Sequence, residues 1–372
     1  MSKNKKPSPI LNEETINNNS EIKMRHSILI RLILLTSIFI MVICCGRKKE
    51  TYQKPGKTVQ KNTIDSIWFE YENITGIGYE ADVTRRDPSD IIKVNDTYFI
   101  WYTKIPAKTN GEKTPLYNSG YYGTIWYATS NNGISWEEKG QAIAPGIDGT
   151  FDSHAVFTPN ILVFKGKYYL YYTGVKPTPG DTEKKFENNS ESDITAIGLA
   201  VADAPDGPFS RISNQPILTI SKDSSAFDSY RIDDAALNIR DEKIWLYYKG
   251  RSRIYGKQGP GHTQMGIAVA NNPEGPYEKL KSPVLARSHE VLIWNQNGGI
   301  ASLACLNKSL NFAANGIDFK TINKNLHALP AAPGLYRPAI SSDSDNKKVN
   351  WGLSMAQRDK DIYLTKFKMY FE

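Results

Sequence analysis

The chain has 372 residues, 40% hydrophobic and 23% charged, a balance that excludes a disordered or fibrous protein. Its formal charge of +7 is concentrated at one end: residues 1–46 carry +3 and residues 47–62 carry +5, leaving −1 for residues 63–372. A near-neutral folded part excludes nucleic acid as an electrostatic partner.

In chain order, the first element is a targeting signal. "KMRHSILIRLILLTSIFIMVICCG" has a basic start, an apolar run over residues 27–43, then two cysteines and a glycine. A transmembrane anchor is the alternative, but the run is short for a span and ends in the cysteine pair typical of a bacterial lipoprotein signal. Cys45 fits as the lipidated residue, with Cys44 as the other candidate, and residues 1–45 form the signal region. Because residues 1–23 are polar, Met24 is an alternative start. The expected location is therefore the periplasmic side of, or attachment to, a bacterial outer membrane. Residues 46–63 form a basic tether with too little apolar content to pack. After processing at Cys45 only Cys305 remains, so neither a disulfide framework nor a cysteine metal site is expected.

From Ile64 to Glu372 the chain alternates short strand patterns with polar turns, and no long amphipathic helix stands out. "TYFIWYT" is echoed by "KYYLYYTG" and "KIWLYYKG". A second unit, "IGLAVADAPDGPF", returns as "MGIAVANNPEGPY", with "TIWYATSNNGISW" as a degenerate relative. Each unit reads as two inner strands, the first aromatic and the second small and apolar, followed by a tight turn into an outer strand. Such a unit cannot bury both faces alone, so copies must stack. The expected fold is all-β, a five-bladed β-propeller, with a β-sandwich as the alternative.

A propeller places its chemistry at one end of its channel, which directs attention to acids and histidines just before the aromatic strands. In "VTRRDPSDII", Asp87 stands between an arginine and a proline. Asp-Pro is ordinary turn chemistry, but a carboxylate held at the lip of a sheet is also where a catalytic acid sits. Asp233 and Asp234 precede "KIWLYYKG", and His289 and Glu290 precede another aromatic strand. The aspartate pair also reads as a strand-end cap, and His289 as a structural histidine. His154, in "GTFDSHAVFTPNI", is a fourth candidate lining residue. His262 lies in a glycine-rich loop and reads as surface, while His327 has no distinguishing context. No His-x-x-x-His, phosphate loop or Gly-x-Ser-x-Gly elbow is present in the folded part. Acids together with abundant Trp and Tyr point to carbohydrate, whose C–H faces stack on rings and whose cleavage needs two acid–base groups. Histidine, with an unperturbed pKa of about 6.5, can serve as the proton donor.

The blocks "RRDPSDII", "TIWYATS", "FDSHAVFTPNIL", "ADAPDGPF", "SHEVLIWNQNGGIA" and "PAAPGLYRPA" resemble glycoside hydrolase family 117, in order from Trp68 to the C-terminus. Members are five-bladed propellers that remove α-1,3-linked 3,6-anhydro-L-galactose from the non-reducing end of agar-derived oligosaccharides. The resemblance implies an inverting general base at Asp87, a second acid at Asp234 and a histidine general acid at His289, with Glu290 beside it. Pro88 would fix the backbone at Asp87, and Arg85 or Arg86 would hydrogen-bond the base. Substrate contacts are expected from Arg86, Trp126, His154, Thr158, Asn160, Thr173, Asp233 and Arg337.

Three positions depart from the family pattern: Asn160 replaces a glutamate, Asp233 a histidine and Thr173 a glutamine. The helical extension that members swap between subunits is largely missing, which leaves a homodimer open. The implied partners are an oligosaccharide and, through the lipid, a membrane. No cofactor is required and no metal ligand is assigned, although a divalent cation near the acids stays compatible with the residues. Two other readings remain: a non-catalytic, lipid-anchored glycan-binding propeller, and an arabinofuranosidase-like propeller with Glu290 as the acid.

Overall fold

The computed structural model describes residues 67–105, 120–180, 193–338 and 350–371. The signal region, Met24, Cys44, Cys45 and the tether lie outside the described residues.

The first strand, β1 (Ile67–Glu72), precedes a sheet built from β2 (Thr84–Arg86), β3 (Ile92–Val94), β4 (Thr97–Ile105), β5 (Thr124–Ser130) and β6 (Glu137–Ile143). Here β2 and β3 pair with successive parts of β4 and together make one interrupted innermost strand. The second blade is β7 (Ala155–Phe164), β8 (Lys167–Pro177), β9 (Asp193–Ala202) and β10 (Ser210–Arg211), in that order. The third is β11 (Arg231–Arg240), β12 (Lys243–Arg251), β13 (Gln264–Ala270) and β14 (Glu278–Lys279), with β15 (Leu285–Ala286) also on β13. The fourth runs β16 (Leu292–Gln296), β17 (Gly299–Ala304), β18 (Ser309–Ala313) and β19 (Lys320–Asn323). The fifth takes β20 (Ala331–Leu335), β21 (Trp351–Arg358) and β22 (Asp361–Phe371), and β1 returns to complete its edge, Ile67 opposite Phe371. The five sheets form a five-bladed β-propeller, and the two-sheet sandwich is set aside.

One part of the expected unit is corrected. The aromatic strands β4, β8 and β12 are the second strands of their blades, not the innermost. A second strand has a neighbour on each edge and a blade on each face, so it reads as an unbroken buried run: Tyr168 to Tyr172 are all buried. The innermost strands are mixed in composition: β11 has small residues such as Ala235 and Ala236, whereas β16 carries the buried Trp294. Asp234 lies within the innermost strand β11 and Asp87 in the break between β2 and β3, while Glu290 stands just ahead of the innermost strand β16.

Blades two and three repeat in detail. Phe151 stacks on Tyr172, whose hydroxyl donates to Asp152 at 2.9 Å. Phe227 stacks on Tyr248, whose hydroxyl donates to Asp228 at 2.9 Å. The glycine of each repeated unit is the floor under that ring pair: a Cβ on Gly198 would meet Phe151 Cζ at 2.4 Å, and one on Gly266 would meet Phe227 Cζ at 2.5 Å.

Candidate active site

Each blade has one residue in the left-handed region in or beside its innermost strand: Asp87 (φ 49°), Thr158 (44°), Asp234 (62°), His289 (58°) and Ala332 (40°). In blades two, three and five this residue sits in a break of register between Phe157 and Asn160, Asp233 and Ala236, and Ala331 and Gly334. A bulge turns the side chain away from the ordinary alternation and raises backbone strain, a device concentrated at functional sites. Pro88, Pro159 and Pro333 follow three of the five. Proline suits this place because an innermost strand has a free edge and no ladder partner for its N–H.

Residues at or next to the five bends line one pocket. Asp87 and Pro88 come from the first blade, Thr158 to Asn160 from the second, Asp234 and Ala235 from the third, Glu290 and Val291 from the fourth, and Ala332 and Pro333 from the fifth. Asp87, Asp234 and Glu290 thus converge, as do Thr158 and Asn160.

Neighbours hold these groups in place. Arg86 Nε donates to Asp87 Oδ2 at 2.8 Å. The backbone N–H of Val291 donates to Asp234 Oδ2 at 3.0 Å, which ties the third blade to the fourth. His289 Nδ1 lies 2.6 Å from Glu290 Oε1, so the left-handed bend brings two consecutive side chains together. Burial pushes the Asp234 carboxyl well above the usual carboxylate range, and the nearby Glu290 and Asp233 add to this against the pull of Lys249. Burial pushes Glu290 the same way, but His289 and Lys249, with a hydrogen bond from Asp234, hold it below its ordinary value. Proton affinity is thus raised at Asp234 and lowered at Glu290.

The other expected contacts have structural duties. Asn160 Oδ1 accepts from the N–H groups of Asp90 (3.1 Å) and Ile161 (2.8 Å), and its Nδ2 donates to Ala235 O at 2.9 Å, linking three blades. Thr173 is fully buried, with its hydroxyl 2.6 Å from that of Thr158. Asp233 forms an ion pair with Lys249 at 3.1 Å. Arg337 Nη1 donates to Asp90 Oδ2 at 2.8 Å, joining the fifth blade to the first. Trp126 lies on β5, where its indole donates to Thr124 and Lys104 sits over its ring. His154 precedes β7, against the Tyr122 ring. Neither Trp126, His154, Thr173, Asp233 nor Arg337 is among the pocket-lining residues.

The aromatic excess has another use as well: Trp101, Trp294, Tyr102, Tyr171, Tyr172, Tyr247 and Tyr248 are fully buried core, and among the described residues no aromatic side chain lines the pocket. Sequence reasoning also missed two site residues. Asp90 closes the ring between first and last blades, and its signal was the second acid of "DPSD". Lys249 stands where "WYTK" and "YYTG" carry threonine, a lysine inside an aromatic strand. Among the described residues, no group of three or more His, Cys, Asp or Glu side chains is arranged to hold a metal ion.

Residues 82–259 match the sequence profile of glycosyl hydrolases family 43. No match was found among curated protein sequences. Among solved structures, the chain is similar to a family 117 glycoside hydrolase produced by the marine bacterium Zobellia galactanivorans. The two share 27% identity and a TM-score of 0.68, over 82% of this chain and 90% of that one. The endo-arabinase of Bacteroides thetaiotaomicron (13% identity, TM-score 0.51, 80% and 98% covered) shares the fold. So does a family 43 enzyme from Xanthomonas citri (14% identity, TM-score 0.51, 80% and 90% covered). Fold and site together define a glycoside hydrolase of the five-bladed propeller class. Within that class the chain resembles family 117, as its motifs indicate.

Proposed function

We propose that the protein is an exo-acting, inverting glycoside hydrolase that releases a terminal galactose-type or 3,6-anhydrogalactose-type sugar from algal galactan oligosaccharides such as neoagaro-oligosaccharides. The observation that carries this reading is the convergence of Asp87, Asp234 and Glu290 from three blades on one pocket. The pocket lining is rich in carboxyl and amide groups (Asp87, Asn160, Asp234 and Glu290), which suits the hydroxyl groups of a terminal sugar.

In this reading Asp87, oriented by Arg86, takes a proton from the water that attacks the anomeric carbon. The His289–Glu290 pair serves the leaving oxygen: Glu290 engages Nδ1, which leaves Nε2 to donate. Asp234 holds its own proton toward Glu290 and so keeps that carboxylate oriented. No step calls for a cofactor.

One observation favours a second assignment of the donor, since Glu290 lines the pocket and His289 does not. Glu290 would then protonate the leaving group directly, as in the arabinofuranosidase-like reading. Against it stands the depressed proton affinity of Glu290.

The test is incubation with neoagaro-, carrageenan- and arabino-oligosaccharides, with NMR of the first product formed. Release of one terminal sugar with inverted anomeric configuration, lost in Asp87→Asn, is the expected result. Retained configuration or internal cleavage would overturn it, and binding without turnover would make the chain a glycan-binding propeller. We also propose, from residues 24–46 alone, attachment through Cys45 to the outer membrane, which incorporation of labelled palmitate, lost in Cys45→Ser, would check.

A further inference from the structure

Four blades place comparable residues opposite the one that precedes the bend. Arg86 pairs with Thr103, Phe157 with Thr173, Asp233 with Lys249, and Ala331 with Met355. The second-strand partner is uncharged in three of them and cationic in the third blade alone. In the first blade Thr103 Oγ1 accepts from the backbone N–H of Thr158, and in the second Thr173 Oγ1 meets the Thr158 hydroxyl. Those contacts are neutral: the first ties β4 of blade one to β7 of blade two, and the second holds β7 to β8 within blade two.

Lys249 makes contacts of another kind. Its Nζ lies 3.1 Å from Asp233 Oδ1, 3.8 Å from Asp234 Oδ2 and 4.0 Å from Glu290 Oε2. The side chain is 7% exposed, so these interactions are weakly screened by solvent. Three carboxyl groups from two blades therefore share one ammonium, and two of the three line the pocket. The charged or titratable groups facing this cluster are His289 and Arg86 toward Glu290, Arg251 toward Lys249, and Tyr121 toward Asp233. A cation at this point determines how many protons the carboxyl groups retain. The depressed proton affinity of Glu290 agrees with that geometry.

We propose that Lys249, held by Asp233, is a positioning residue of the active site that fixes the orientation and the charge state of Asp234 and Glu290. The proposal rests on the glycosidase reading for its kinetic consequence, but not for its electrostatic one. Lys249 touches no reacting atom; it acts through the two carboxyl groups. Asp233 serves as its anchor rather than as a sugar contact.

The experiment compares the full chain with Lys249→Met, Lys249→Arg and the double variant Asp233→Asn/Lys249→Met. The pH dependence of kcat/KM on the cleaved oligosaccharide is read alongside the thermal midpoint. Lys249→Met is expected to lower kcat by about 10²-fold with a smaller effect on KM, and to move the acidic limb upward by about one pH unit. Lys249→Arg should keep the limb in place, and the double variant should recover it in part, because the stranded Asp233 charge is gone. A merely structural lysine would lower the thermal midpoint and leave the limb where it was, which would overturn the proposal. So would a double variant no better than the single one. Carboxyl ¹³C NMR titration of the full chain gives a readout independent of turnover. Glu290 should titrate at higher pH in Lys249→Met than in the wild type, and an unchanged titration refutes the proposal. If the wild type cleaves nothing, the glycosidase reading fails while the NMR result still decides the role of Lys249.

Discussion

His289 Nδ1 and Glu290 Oε1 are 2.6 Å apart although the residues are consecutive in the chain. Neighbours on a regular strand point to opposite faces, and the left-handed backbone at His289 (φ 58°) removes that alternation. In the proposed reading the contact makes the pair one proton-handling unit, and it gives the donor question a clean test. His289→Ala should lose about 10²–10⁴-fold in rate on a natural oligosaccharide and recover substantially on an activated aryl glycoside of the same sugar. Glu290→Gln should be impaired on both substrates to a similar degree. Recovery in Glu290→Gln alone would assign the donor to Glu290.

The ring-floor glycines are a matter of packing. A Cβ on Gly198 would stand 2.4 Å from Phe151 Cζ and 2.6 Å from Tyr172 Cζ, and Gly266 meets Phe227 and Tyr248 in the same way. Gly198→Ala and Gly266→Ala should each destabilise by about 1–3 kcal/mol through overpacking. Urea unfolding measures this, and wild-type midpoints in both variants would show that the rings can move.

Arg337 and Asp90 form a buried ion pair with side chains 3% and 5% exposed. Removing one partner strands the other charge, at a cost of about 3–5 kcal/mol. Asp90→Ala and Arg337→Ala should therefore both lower the unfolding free energy, and a double-mutant cycle should show coupling. If Arg337 contacts sugar instead, Arg337→Ala would raise KM and leave stability nearly unchanged.

Acid sensitivity is built into the first blade. Burial pushes Glu138 up, but hydrogen bonds from Arg85, Lys104 and Tyr102 more than offset this and bring it from an ordinary 4.5 down to about 2. A carboxylate with a depressed native pKa contributes stability that is present above its unfolded value and lost as pH falls through the native one. Between pH 4.5 and about 2 the wild type should lose more stability than Glu138→Gln. The variant should be the less stable of the two near neutrality. Parallel stability–pH curves would remove Glu138 as the cause.

Some of this was readable from one dimension because it depends on local periodicity. A second strand enclosed on both edges and both faces must be apolar throughout, so "YYLYY" and "IWLYY" announce themselves and repeat at blade spacing. Turn units such as "DAPDGPF" mark the step to an outer strand for the same local reason. Asp87, Asp234 and Glu290 stood out through position beside such strands and through family motifs. Composition pointed to carbohydrate, but the large tyrosines and tryptophans taken as sugar platforms, such as Trp101, Tyr171 and Tyr248, are packed in the core.

What the amino-acid order determined alone, then, was the strand repertoire, its repetition and the acids that each repeat carries. The tertiary structure decided which strand faces the channel, because that follows from how sheets pack round an axis and not from any one strand's pattern. It also decided the partners of Asn160 and Asp90, which spend their polar atoms on neighbouring blades some 70 and 247 residues away. Lys249 shows the reason most plainly. Its charge matters through Asp233, Asp234 and Glu290, and only the closing of the propeller brings carboxyl groups from the third and fourth blades to one ammonium in a site that little water screens.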